Sequence, residues 1–451
     1  MSAALEPGLE RRLGLGAASA LIVGEVIGVG IFLTPAEMTK ALGSPLLVLL
    51  VWLVVGAAAF CGALCYGELA ARFPEAGGGY AYLREAWGPL AAFLYGWKSL
   101  LVMDPGLTAA LAMGLAQYIG FLTPLGPGRL KGVAIAAIVM LAIVNVLGVR
   151  IGAVLLQALT GLKLALLGVI VIGGFASGRG SFSHFVPFTI ARPGSAPLLA
   201  GLAGGIVAAF FSFGGFWDVA KLGGEVKDPV RTLPRALALG VATVTLIYIA
   251  TSAVFVYLIP IEAAASGVGF AAQAGASLFG AAGASAFAAI VVVAVAGSLA
   301  AVLMAAPRVY YAMARDGLFL RAIGVVDARF GTPARAIALQ ATLACLLVWL
   351  GSFDQVIAYF VFVTIAFVGL TVAGLYRLPR ARDGAPHASL HRATPIAFLA
   401  LLATLMALLG AGRPIQAASG VAVVALGAPV YLLLVAPRRR AAARARSVEE
   451  S

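Results

Sequence analysis

The chain has 451 residues, 62% of them hydrophobic and 11% charged, with a net charge of +13 and a mean hydropathy of +1.04. Soluble domains carry about 25% charged and about 45–50% apolar residues, so a water-soluble globule and a disordered chain are both excluded. Three cysteines are too few for a secreted disulfide scaffold, whereas twelve membrane spans of about 20 residues would use about 240 and leave the rest for loops and tails.

Apolar runs fall near residues 14–36, 44–69, 89–119, 132–148, 152–176, 199–222, 236–259, 283–306, 336–352, 355–376, 394–411 and 417–436. They predict an all-α polytopic membrane protein with 12 transmembrane helices, a polar tail at 1–13 and a basic tail at 437–451. With the N-terminus inside, 23 of the 31 Lys and Arg residues fall in cytoplasmic segments, six fall outside, and Lys98 and Lys163 lie within spans. That asymmetry predicts cytoplasmic termini. Residues 1–13 are polar and the run after them exceeds a signal-peptide core, so no cleavable leader is expected.

The first span carries Gly24-Glu25-Val26-Ile27-Gly28-Val29-Gly30-Ile31-Phe32, followed by Thr34-Pro35. Each glycine costs about 1 kcal/mol of helix propensity, so this cluster predicts an unwound stretch near mid-membrane. Glu25, three residues before Gly28, shares its face if the turn persists. It reads as a salt-bridge partner of Lys163, a proton-coupling carboxylate or a contact for a cationic substrate. In the third span, Asp104-Pro105 marks a bend, and Lys98 is roughly 240° round from Asp104 on a regular helix. Lys163 lies halfway along the fifth span, where a charge costs about 2.5–3.5 kcal/mol and needs a partner. Its three donors match the carbonyls of an unwound first helix.

The sixth span holds Phe210-Phe211-Ser212-Phe213-Gly214-Gly215-Phe216-Trp217-Asp218. If spans 1–5 (14–176) and 6–10 (199–376) are inverted repeats, the two glycine-rich breaks are equivalent, with spans 11 and 12 (394–436) added. Paired breaks of this kind point to a carrier's binding site at the bilayer midplane. Exposed amides suit a carboxylate and exposed carbonyls an ammonium, so a small zwitterion fits. The predicted substrate contacts are Ile27, Gly28, Val29, Gly30, Ile31, Phe210, Phe211, Ser212 and Gly214. Asp218 reads as a cytoplasmic gate residue.

Cys61, Cys65 and Cys345 fall in spans and read as small apolar residues, and His184, His387 and His391 lie in loops without ligand-spaced partners. No metal, cofactor or enzymatic constellation is expected. Gly28-Val29-Gly30 has neither a preceding strand nor a following Lys-Ser/Thr, which rejects a phosphate loop. The basic residues follow topology rather than interleaving with aromatics, which rejects nucleic acid as a partner.

Five blocks resemble the amino acid–polyamine–organocation superfamily, specifically bacterial members similar to L-type amino acid transporters. They are Gly28 to Phe32; Gly62 to Leu69 with Gly77-Gly78-Gly79-Tyr80-Ala81-Tyr82-Leu83; the fifth span around Lys163; Phe211 to Trp217 with Glu225-Val226-Lys227-Asp228-Pro229; and Pro307-Arg308-Val309-Tyr310-Tyr311-Ala312-Met313-Ala314-Arg315-Asp316-Gly317. The resemblance implies a LeuT-type fold with a 5+5 inverted repeat and discontinuous helices 1 and 6. It further implies sodium-independent secondary transport of neutral amino acids across the cytoplasmic membrane, by exchange or linked to protons. Lys163 would fill the space of a coupling sodium, and Phe211 would be a gate over the substrate. Val29 stands where the family has Ser or Thr, and Phe216-Trp217 where it has Trp-Asn, so the implied pocket is more apolar. The loop at 120–131 has no cysteine, so no disulfide-linked heavy chain is expected. The alternatives are a proton-coupled symporter of cationic amino acids, amines or polyamines, and a nutrient sensor on a carrier fold.

Overall fold

The computed structural model describes residues 9–28, 30–186, 188, 196–261, 268–350, 353–378, 393–412 and 414–437. The predicted contact Val29, His387, His391 and the basic tail from residue 438 lie outside the described residues. Among the described residues the regular structure is helical throughout, with two isolated bridges and no strand.

The first apolar run forms α1 (Leu15–Val26) and α2 (Gly30–Leu42), bent by 47° across the glycine cluster. Ser44 caps α3 (Pro45–Arg72), with Pro45 at the first helical position, where its missing N–H costs nothing. A short α4 (Gly79–Trp87) precedes α5 (Pro89–Lys98), a π-helical turn at Ser99–Met103 and α6 (Asp104–Leu122). The π turn lies directly before Asp104-Pro105, a place where the proline has no N–H for a regular ladder. Next come α7 (Pro127–Val146) and α8 (Val149–Ala176).

The second half begins with α9 (Leu198–Phe213), which gives way to a 3-10 stretch at Phe216–Lys221. It continues with α10 (Pro229–Leu258), α11 (Val268–Phe279), α12 (Gly283–Ala305) and α13 (Pro307–Arg315). The last helices are α14 (Ala334–Leu350), α15 (Phe353–Ala373), α16 (Ala393–Gly412) and α17 (Pro414–Val430). Residues 268–279 and 79–87 fall between the apolar runs of the sequence. Both are helices, α11 packed on α12 and α2, and α4 on α5 and α15.

Among the described residues, eight helices are long and apolar enough to cross a membrane, nine if the bent α1–α2 pair is one span, and Ala334–Leu350, Val361–Tyr376 and Ala417–Leu433 are shorter apolar helices. The packing pairs elements of the two halves: α2 against α9, α3 against α10, α6 against α12 and α7 against α14. The buried core follows these seams, where Trp52 of α3 meets Phe213 edge-on and Tyr248 at a tilt, and Phe32 of α2 meets Phe287 of α12 edge-on. Outward faces carry exposed Leu53, Met140, Ile172, Leu246 and Trp349, the apolar exterior that lipid requires.

Candidate functional site

The end of α1 is where the glycine cluster acts. Ile27 leaves the helical region (φ −76°, ψ 75°), and the Gly28 amide donates to the Val26 carbonyl at 2.8 Å instead of continuing the ladder. The carbonyls released by the break have buried partners. The Lys163 ammonium of α8, fully buried, donates to Gly24 O at 2.7 Å and Ile27 O at 2.5 Å. Ser298 Oγ of α12 donates to Gly24 O at 2.8 Å. Gly24 is glycine for close approach: a Cβ there would lie 2.6 Å from Thr160 Oγ1, and Thr160 itself donates to the Ala20 carbonyl at 3.1 Å.

The second break follows α9. Gly214 ends the helix, and Gly215 takes φ +104°, a left-handed conformation that an L side chain rarely adopts. The Tyr248 hydroxyl of α10 ties the two breaks together, lying 2.8 Å from Val26 O and 2.7 Å from Ser212 O, so its one proton serves either carbonyl. A second tie joins Thr34 Oγ1 of α2 to Ser212 Oγ at 2.9 Å. Gly30, the first residue of α2, is packed so tightly that a Cβ would lie 2.7 Å from Ser212 Oγ and 3.1 Å from its Cα. Of the sequence candidates, Gly30 packs directly on Ser212, and Tyr248 joins the carbonyl just before Ile27 to that of the same Ser212. Phe210 and Ser212 are buried, while Phe211 is 42% exposed.

Beyond Gly215 a buried charged cluster occupies the next turn. Lys221 is 1% exposed; it donates to Asp218 Oδ2 at 2.8 Å and to Asp104 Oδ1 at 3.3 Å. Tyr310 of α13 donates to the other Asp104 oxygen at 3.0 Å. Glu25 is 6% exposed and neither of its carboxyl oxygens has a donor. A salt bridge to Lys163, one of the readings of Glu25, is not formed; the Lys163 ammonium lies on the Gly24 and Ile27 carbonyls instead. Lys98 does not bond Asp104 either. Its ammonium contacts Met103 Sδ at 2.8 Å and sits 4.6 Å from the centre of the Tyr95 ring.

The motif blocks meet a second time at the end where α4, α13 and the loop after the 3-10 stretch come together. Arg84 bridges Asp316 and Glu75, each at 2.6 Å, and Tyr80 donates to Asp316 at 2.7 Å. Arg308, fully buried, grips Glu225 with two bonds of 2.7 and 3.1 Å. The Glu225 carbonyl in turn accepts from the amides of Arg12 and Leu13.

Sequence reading found both breaks, Lys163 and Glu25. It missed Tyr248, Ser298, Thr160, Lys221 and Tyr310, and it had placed Lys221 among the loop charges. Ser and Tyr within a span carry no local signal of their partners. Lys221 did carry one: with Asp218 it forms an i, i+3 acid–base pair next to the weakened helix. Among the described residues, no three His, Cys, Asp or Glu side chains group to hold a metal ion. A groove of about 560 Å³ between α7 and α14, lined by Ile135, Val139, Ile143 and Leu346, is apolar and lies on the outer face, away from both breaks.

Comparison with known proteins agrees with this architecture. The profile of the amino acid permease family matches residues 13–434. The chain is 31% identical over 380 residues to b(0,+)-type amino acid transporter 1 of Oryctolagus cuniculus, covering 81% of this chain and 76% of that one. It is 29% identical over 381 residues to the serine/threonine exchanger SteT of Bacillus subtilis, covering 84% and 85%. It is 28% identical over 433 residues to large neutral amino acids transporter small subunit 2 of Homo sapiens, covering 94% and 80%. With its membrane-length helices the chain is a multi-pass membrane protein, and it belongs to the amino acid permease family.

Proposed function

We propose that this chain is a secondary transporter of neutral amino acids, working sodium-independently by alternating access across the cytoplasmic membrane, by exchange or linked to protons. The supporting observation is the pair of opposed helix breaks, held in register by Tyr248 and by the Thr34–Ser212 bond. Discontinuous helices at corresponding places in two halves are what a midplane carrier site needs. The reading takes the substrate's carboxylate to the start of α2, at Gly28 to Ile31 with Val29 among them, and its side chain towards Phe210, Phe211, Ser212 and Gly214. Phe211 would be the gate. Lys163 stands in for a coupling cation by neutralising the carbonyls of Gly24 and Ile27.

Nine long spans and three shorter apolar helices make twelve in this reading. The mutual packing of α2 with α9, α3 with α10, α6 with α12 and α7 with α14 favours two inverted repeats, 14–176 and 199–376, with 394–436 added. Tails 1–13 and 437–451 would be cytoplasmic. No disulfide-linked heavy chain is proposed, since Cys61, Cys65 and Cys345 all lie within helices.

Uptake of labelled amino acids into proteoliposomes, with and without internal amino acid and with sodium replaced by choline, tests the proposal. Uptake stimulated by internal substrate and indifferent to sodium is expected; no flux with any amino acid would leave a sensor instead. A second reading, symport of cationic amino acids, amines or polyamines, draws on the unpartnered Glu25 carboxylate. Competition by arginine and putrescine against a neutral amino acid separates the two.

A further inference from the structure

We infer that Glu25 and Asp218 form a buried proton-binding site in which the two carboxyl groups share one proton, coupling its movement to transport. The inference rests on the reading of the chain as a carrier and names its coupling ion and the site that holds it. The arrangement begins with the backbone. Because Gly215 has no Cβ, the chain just past the second break can approach the Glu25 side chain; a Cβ there would lie 3.0 Å from Glu25 Oε1. Asp218 follows three residues later, its amide bonded to the Gly215 carbonyl at 2.8 Å, and positions three apart on a 3-10 turn share a face, which turns its carboxyl to the side of Glu25. Two carboxylates are acceptors only, and a contact between them forms when one of them carries a proton.

Among the described residues, the neighbouring cations and hydroxyls that follow are engaged elsewhere. From the 3-10 stretch, Lys221 is shared between Asp218 Oδ2 and Asp104 Oδ1. From α13, Tyr310 serves Asp104, and from α8, Lys163 serves carbonyls. From α10, Tyr248 serves Val26 and Ser212, and from α12, Ser298 serves Gly24. On the Asp104 side, Lys98 contacts Met103 and the Tyr95 ring. Both Glu25 oxygens and Asp218 Oδ1 are buried and unpartnered. Lys221 is thus divided between Asp218 and Asp104, and no ammonium donates to Glu25. A proton between Glu25 and Asp218 removes one excess charge and pairs two orphan acceptors at once, as in a carboxyl dyad that holds a single proton. Its loss would set two like charges against each other across the seam of α1 and the 3-10 stretch. Both segments adjoin the breaks at which the proposed carrier holds its substrate, so loading the proton and closing the seam become one event.

The test uses purified protein in liposomes, an alkaline interior, and labelled L-serine, L-leucine, L-arginine and putrescine as probes. With one proton per substrate, a gradient of one pH unit should support about tenfold accumulation of the transported probe in the wild type. In Glu25→Gln and in Asp218→Asn the ratio of uptake with the gradient to uptake without it should fall to one. Wild-type flux that ignores the gradient overturns the proton site while leaving the carrier reading intact. If no probe is transported the carrier reading fails, and infrared spectroscopy of the purified protein still decides the site. A protonated-carboxyl band near neutral pH that disappears in Glu25→Gln supports the shared proton; a wild type without that band overturns it.

Discussion

Lys163 fixes the electrostatics of the first break. Removing its ammonium leaves Ile27 O with only a long contact to Ser298, at 3.4 Å, whereas Gly24 O keeps its 2.8 Å bond. One buried carbonyl deprived of its donor costs about 1–3 kcal/mol. Lys163→Met keeps most of the bulk and should lower uptake by at least about tenfold, with a matching fall in melting temperature measured in detergent. If the variant transports normally and needs no sodium, Lys163 does not stand in for a cation. The glycines make a separate prediction, because their neighbours differ in kind. A Cβ on Gly24 meets only the side chains of Thr160 and Leu156, whereas one on Gly30 also meets the Cα of Ser212. Overpacking of this sort costs about 1–3 kcal/mol. Gly24→Ala should therefore be rescued in part by Thr160→Ala, while Gly30→Ala stays inactive when paired with Ser212→Ala. Melting curves and uptake of the four variants check this. Phe211, 42% exposed beside the break, should act differently: Phe211→Ala is expected to raise access of a thiol or small probe from outside and to abolish occlusion of substrate, with little change in melting temperature.

At the level of elements, the two halves are joined by hydroxyls at the breaks and by the Lys221–Asp104 and Arg84–Asp316 ion pairs. A further pair, Arg308 with Glu225 at 0% and 1% exposure, ties α13 to the loop after the 3-10 stretch within the second half. Breaking a buried pair from one side costs about 3–5 kcal/mol, since a charge is left uncompensated, whereas removing both partners costs far less. Arg308→Met should fail to hold α13 on the loop after the 3-10 stretch, and Arg308→Met with Glu225→Gln should recover much of the lost melting temperature. A double variant no better than the single one would mean that the packing of α13, not the pair, carries the junction. Which features were legible beforehand follows the same division. The breaks were readable because glycine weakens a helix locally, wherever the rest of the fold lies. Lys163 was readable because a lone cation at that depth must find acceptors. Lys221 was misread because it stands where a span ends and a loop charge belongs, and only the 3-10 tightening after Gly215 turns it back among Asp218 and Asp104. Tyr248, Ser298 and Thr160 come from unbroken helices, and their partners are more than 30 residues away in the chain.

For the whole molecule, the number of spans and their orientation form a single problem, because each crossing reverses the side on which the next loop emerges. The Lys/Arg asymmetry and the twelve-span reading together assign the loop after α8 to the outside and the loop after α13 to the cytoplasm, three crossings later. Each loop offers a marker held in the described structure: Phe182 is 69% exposed after α8, and Leu320 is 65% exposed after α13. Neither lies at a break or in the ion-pair network, so a cysteine there should disturb little. With Cys61, Cys65 and Cys345 replaced by alanine, Phe182→Cys should react with a membrane-impermeant maleimide on intact cells. Leu320→Cys should react only after permeabilisation. Labelling of both from the same side would require an even number of crossings between α9 and α13 and would break the equivalence of the two halves. Labelling from opposite sides in the reverse order would keep the repeats but invert the protein. In that case the sides of the membrane on which α2 and α9 lie would exchange, and with them the direction of substrate flow.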